Sequence, residues 1–279
     1  MYFGASNGSA TPAWQGYTLI MPAISVGNVG QLACDLLIHT LKLTKVGCLH
    51  DHSLEPLCGN DAFLSTGVSS GILVTSTEVY ESSEKKIVVI QQRASFVKGR
   101  VVEFRKKLLD WIKEVGFART VLLTSCFAYE KTDAHVLRSS SRYLMTPSLE
   151  KEEDSFVSSI LKFQQLERKP PQEGLFPAKK QDNIPEAARD IELPGGGIAK
   201  KLFIDSCKAE VPLAVLLHYC SEGDTSQDAL MMAAFVNSLL QLIPEPSNPP
   251  RGDDSWRTMW KIPSSWTTLF IRPIDPTMY

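Results

Sequence analysis

Between Lys86 and Ser125 the chain reads as a strand, a helix and a second strand, and this unit constrains the fold more than any other segment. The first strand, Lys86 to Arg93, holds the β-branched run IVVI. Val101, Phe104, Leu108, Ile112 and Val115 then recur at helical spacing, with Gly116 placed where a left-handed residue ends a helix. Arg119 to Ser125 returns as a strand with the core TVLL. The same alternation occurs on either side. Tyr17 to Met21 reads as a strand leading through a turn to a helix near Val29, with Asn28 as its N-cap, and Lys45 to His50 and Gly71 to Tyr80 read as strands. Alternating strands and helices predict an α/β fold, here a layered α/β/α sandwich with a central mostly parallel sheet.

Lys169 to Leu193 is rich in proline, charge and amides and has no periodicity, which predicts a long flexible linker. A helix ending near Lys208 and a strand from Val211 to Cys220 follow it, so the linker reads as an insertion in one domain spanning 1–279. In the helix from Gln227 to Ile243, Met231, Met232, Phe235, Val236, Leu239, Leu240 and Leu242 sweep about half the circumference, more than the usual ~100° stripe. That width predicts protein on two sides, from this domain's core or from a second subunit. Pro244 to Asp254 is a second irregular link, and the tail beyond it holds Trp256, Trp260 and Trp266.

Composition narrows the function. Hydrophobic residues make up 43% and charged residues 22%, as in a soluble globular protein, and a net charge of -2 offers no basic excess for nucleic acid or an anionic membrane. The start, MYFGASNGSATPAWQG, does not read as a secretory signal, and apolar runs such as VPLAVLLHYC are too short to span a bilayer. The six cysteines include no CxxC pair and read as reduced, packing thiols of a cytosolic or nuclear protein.

Motifs that carry chemistry are weak. Gly67 to Gly71 matches GxSxG, but a polar loop precedes it and a strand follows, the reverse of a nucleophile elbow. Cys48, His50 and His52 would share one strand face with Cys58 close behind, a conceivable zinc set without paired knuckles. The turns Gly27 to Gly30 and Pro194 to Gly197 open helices and could receive an anion, but neither has the full nucleotide-binding spacing. They read first as tight backbone turns. Arg251-Gly252-Asp253 reads as chance. His39, His50, His52, His135 and His218 are scattered, and none pairs in sequence with both a nucleophile and an acid.

Four longer stretches are more specific: MPAISVGNVGQLA (Met21 to Ala33), LPGGGI (Leu193 to Ile198), SEGDTSQDA (Ser221 to Ala229) and WKIPSSW (Trp260 to Trp266). In order and spacing they resemble the proteasome assembly chaperone family, with the region from about Met145 to Ile191 least similar. The resemblance implies an α/β sandwich without a cofactor, acting in cytoplasm and nucleus. It also implies an obligate heterodimer with proteasome assembly chaperone 1 that binds proteasome α subunits and helps them close into a ring. Related chaperones end in a hydrophobic residue, a tyrosine and any residue, which enter a pocket between α subunits. Here the ending is Thr277-Met278-Tyr279, with the aromatic residue last, which makes Met278 and Tyr279 the candidate protein-binding residues. The alternative function is an enzyme or binding protein for a small phosphate-containing ligand, held at the two glycine turns.

Overall fold

The computed structural model describes residues 1–5, 13–63, 71, 73–131, 139–168, 184–244 and 259–266. In chain order the strands are β1 (Tyr2–Ala5), β2 (Thr18–Pro22), β3 (Thr44–His50), β4 (Cys58–Asn60), β5 (Leu73–Thr75), β6 (Thr77–Ser82), β7 (Ile87–Gln92), β8 (Arg119–Phe127), β9 (Ser141–Met145) and β10 (Leu213–Cys220). The helices are α1 (Val29–Leu41), α2 (Val101–Val115), α3 (Pro147–Glu150), α4 (Ser155–Ile160), α5 (Ala199–Ala209) and α6 (Ser226–Leu240).

Eight strands form one sheet in the order β1-β3-β6-β7-β2-β8-β10-β9. The central four, β7, β2, β8 and β10, are parallel, and antiparallel strands extend both margins. Alternate side chains of the parallel strands enter opposite cores. Ile20, Val89, Val121, Leu123 and Leu216 face the core made with α1, α4 and α6. Leu19, Met21, Val88, Leu122 and Val215 face the core made with α2 and α5. Both sheet faces are thereby covered, which is why these strands read as continuous apolar runs. The arrangement is the α/β/α sandwich expected from sequence, with its parallel order concentrated at the centre.

The sequence boundaries of α2 hold, and Gly116 closes the helix at φ 75°. Asn28 differs from expectation. It precedes α1 at φ 53° and its side chain makes no capping hydrogen bond, because Gly27 and Asn28 together form a left-handed turn closed by the backbone, Asn28 N to Ser25 O at 3.1 Å. The segment Gly71 to Tyr80 is two strands. It breaks at Ser76, whose carbonyl accepts the Arg93 amide at 2.9 Å, so β6 stays in the main sheet while β5 pairs with β4.

The expected linker also changes character towards its end: residues 169–183 lie outside the described residues, whereas Ala188, Ile191 and Leu193 are buried with α2 and α5. Trp260 and Trp266 are buried as well, in the core that contains α6. Trp256 lies outside the described residues.

Helix α6 obtains much of its second side from the chain itself. It packs on α1, β10 and α4, and Phe235 meets Phe163 at 4.4 Å between ring centroids. Phe235 and Leu239 are buried, but Met231 is 43% exposed and stands outside the packed arc. The helix stops at Leu240 because Gln241 turns left-handed at φ 50°. Truncating Phe235 or Leu239 to alanine is expected to cost about 2–5 kcal/mol through lost burial and residual cavity, and Met231→Ala under about 0.5 kcal/mol. Urea unfolding of the three variants checks the contrast.

Candidate functional site

Parallel α/β sheets place ligands in the crevice outside the carboxyl ends of their strands. In this chain three of the four long motifs meet there. Residues 21–33 leave β2, residues 221–229 leave β10, and residues 193–198 arrive from the opposite layer against the end of β8. The Val26 amide donates to the Gly195 carbonyl at 2.9 Å, Thr225 Oγ1 donates to the Gly27 carbonyl at 2.6 Å, and Thr124 Oγ1 donates to the Gly196 carbonyl at 3.1 Å.

The crossing is so close that glycine is required. A Cβ on Gly30 would stand 2.6 Å from the Leu123 carbonyl oxygen, where the start of α1 lies on β8. A Cβ on Gly197, at φ +59°, would stand 2.0 Å from the Ile24 carbonyl oxygen. Several amides that could receive an anion are committed internally: Asn28 N to Ser25 O, Gly196 N to Leu193 O at 3.0 Å and Ala199 N to Gly196 O at 3.1 Å. The chain's own backbone occupies this part of the crevice.

Nucleophilic side chains at the junction are tied down in the same way. Ser25 and Ser125 share a hydroxyl–hydroxyl bond of 2.8 Å, and Ser125 Oγ donates to the Val26 carbonyl. Burial, reinforced by the Asp228 carboxylate, pushes the Cys220 thiol up to about 11, which keeps it protonated and unreactive at neutral pH.

One arrangement was invisible in the sequence. His218 on β10 lies between Ser141, its cross-strand partner on β9, and Asp228 in the first turn of α6. Ser141 Oγ is 3.0 Å from Nδ1, and Asp228 Oδ1 is 3.1 Å from Nε2. In the tautomer that carries its proton on Nε2, the ring donates to the carboxylate and Nδ1 accepts from the serine hydroxyl. A nucleophilic serine needs an exposed hydroxyl on a sharp turn with donors aimed at a developing oxyanion. Ser141 instead opens a regular strand and is 8% exposed. The three residues pin the start of α6 to the sheet margin. Only spatial pairing across β9 and β10 brings them together, so residue spacing gave no signal.

The other candidates are dispersed. Cys48 and His50 lie on β3, while His52 and Cys58 are exposed, and Cys48 Sγ contacts Thr75 Oγ1 at 3.4 Å. Among the described residues no group of three or more His, Cys, Asp or Glu side chains is arranged to hold a metal ion, and no helix is long and apolar enough to cross a membrane. All six cysteines are free thiols. Gly67 to Ser70, His135, Arg251 to Asp253, Met278 and Tyr279 lie outside the described residues.

The backbone crossing gives a sharp prediction. Gly197→Ala should destabilise the fold by about 3 kcal/mol or more, through positive-φ strain plus collision with the Ile24 carbonyl. Gly16→Ala, at φ +78° with no atom within 4 Å of the added Cβ, should cost only the strain, about 1–2 kcal/mol. Paired denaturant melts check the difference.

The family model described as "PAC2 family" matches residues 19–243. The chain is 39% identical over 274 residues to Proteasome assembly chaperone 2 of Danio rerio, covering 98% of this chain and 99% of that one. It is 38% identical over 272 residues to Proteasome assembly chaperone 2 of Homo sapiens, covering 98% of each. In fold it is similar to the crystal structure of PbaA from Pyrococcus furiosus, an archaeal homolog of proteasome-assembly chaperone, with a TM-score of 0.56 and 18% identity over 83% of this chain and 84% of that one. With the four motifs placed on the α/β/α sandwich and relatives matched along nearly its whole length, the chain belongs to the PAC2 family.

Proposed function

We propose that this chain is a non-catalytic assembly chaperone for the proteasome core particle. The observation that carries the reading is the match of 98% of its length to relatives named Proteasome assembly chaperone 2. The junction at the carboxyl ends of the parallel strands supports it: hydroxyls, a protonated thiol and turn amides there are bonded to the protein's own backbone. Function then resides in surface contacts. In this reading the chain works as a heterodimer with proteasome assembly chaperone 1, in cytoplasm and nucleus, and holds proteasome α subunits as they close into a ring. Met278 and Tyr279 are the proposed α-subunit contact: a tyrosine ring offers large apolar burial together with a hydroxyl.

Two measurements check this. Co-expression with proteasome assembly chaperone 1 should yield a stoichiometric heterodimer; a full-length chain that stays monomeric beside that partner contradicts the reading. Deleting Met278 and Tyr279 should weaken α-ring binding by roughly thirtyfold, the equivalent of about 2 kcal/mol for a desolvated anchor, with Tm unchanged. Equal affinities would remove the tail from the interface and leave the heterodimer test standing.

A further inference from the structure

The WKIPSSW stretch has a structural role that also creates a site. Trp260 and Trp266 are buried, 5% and 3% exposed, and between them the Lys261 amide donates to Thr40 Oγ1 at 2.9 Å. Residues 259–266 are thereby fixed beside the carboxyl end of α1. Lys261 joins a cavity of 430 Å³ there, within the ~300–1,000 Å³ range of ligand sites.

Its floor is apolar and aromatic, built from Leu43, Phe63 and Tyr80. Phe63 stands edge-on to Tyr80 at 6.1 Å and stacks on His39 at 5.8 Å. Its mouth is cationic. Lys42 caps α1 in the left-handed conformation, φ 51°, and both Lys42 and Lys261 are exposed. Neither has a carboxylate partner among the described residues: two of the nearby acids are paired elsewhere, and Asp61, whose charge reaches His39, is held by a backbone amide. Asp35 pairs with Arg93 at 2.7 Å, Glu78 pairs with Lys45, and Asp61 accepts the Phe63 amide at 2.9 Å. Burial, followed by the Lys261 charge, moves the His39 imidazole below its ordinary range, so at neutral pH the positive charge at the mouth comes from the two lysines.

We propose that this cavity is a docking site for an acidic peptide segment of a partner protein, with an aromatic or branched aliphatic side chain on the Phe63–Tyr80 floor and flanking carboxylates on Lys42 and Lys261. Two unpaired ammonium groups over an apolar floor match that combination of charge and shape. Ile262, next to Lys261 in the chain, is 54% exposed and offers a further apolar contact to an occupant that extends beyond the cavity, as a peptide does. The site lies at the end of α1 and is built from residues other than the proposed Met278 and Tyr279 contact, and its test needs neither an α ring nor the heterodimer partner.

The test is amide NMR on the full-length chain titrated to millimolar concentration with the acetylated, amidated peptide Gly-Asp-Phe-Glu-Gly. Shifts should cluster at residues 38–43, Phe63 and Lys261. Binding should weaken at least tenfold in the Lys42→Glu/Lys261→Glu variant and fall as ionic strength rises, and the peptide Gly-Lys-Phe-Lys-Gly should leave the cluster unmoved. Both lysines are exposed, so unchanged resonances elsewhere report that the variant is folded. No shifts at millimolar peptide, equal affinity of wild type and variant, or equal binding of octanoate and the acidic peptide would each overturn the proposal.

Discussion

The fold turns on a close approach of backbone to backbone at the carboxyl ends of the parallel strands. Gly197 lies on the Ile24 carbonyl and Gly30 on the Leu123 carbonyl, so α1, β8 and the start of α5 approach at distances that exclude a single methyl group. The two helical layers are linked through this point. Residues 193–198 come from the layer of α2 and α5, whereas residues 26–30 open the layer of α1 and α6. Hydrogen bonds from Val26, Thr124 and Thr225 then close the seam. Without the two glycines, the added methyl groups would force these sheet ends apart.

Buried polar groups reinforce the same design away from the seam. Asp35 on α1 accepts from Arg93 at 2.7 Å and from Gln91 at 2.6 Å, and Gln91 and Gln31 tie the helix to β7 through backbone carbonyls. On the other face Arg105 of α2 pairs with Asp205 of α5 at 2.8 Å. A buried charge left without its partner is costly, so these pairs fix the angular placement of each helix more than they add net stability. Together with the His218 chain at the start of α6, they leave each of α1, α2, α5 and α6 with at least one directional tie beyond its apolar face.

The sequence made the parallel centre of the sheet legible because those strands are buried on both faces and read as IVVI, TVLL and LAVLL, with an amphipathic helix and its closing glycine between the first two. The margins were harder. β1 and β4 are too short to show a period, and α3 and α4 fall between Met145 and Ile191, where the resemblance to the family is least. Two local signals there were readable: Pro147 at the first turn of α3, and Asp154, whose side chain caps α4 by accepting the Val157 amide at 3.0 Å. The site was legible in part. Its motifs stood out as long specific stretches, but their meeting point depends on strand order, and Ser141, His218 and Asp228 become neighbours only through the pairing of β9 with β10.

In the function proposed above, the long motifs build a scaffold and the outer surface carries the work. The most direct measurement is assembly of the proteasome α ring in the presence of the full-length Ser141→Ala/Cys220→Ala variant, scored per folded molecule beside wild type. The account predicts equal assembly at equal folded fraction, since both side chains act only within the fold. Loss of assembly by a variant that keeps its melting temperature and its binding to the proposed partner would contradict it and place chemistry at the seam.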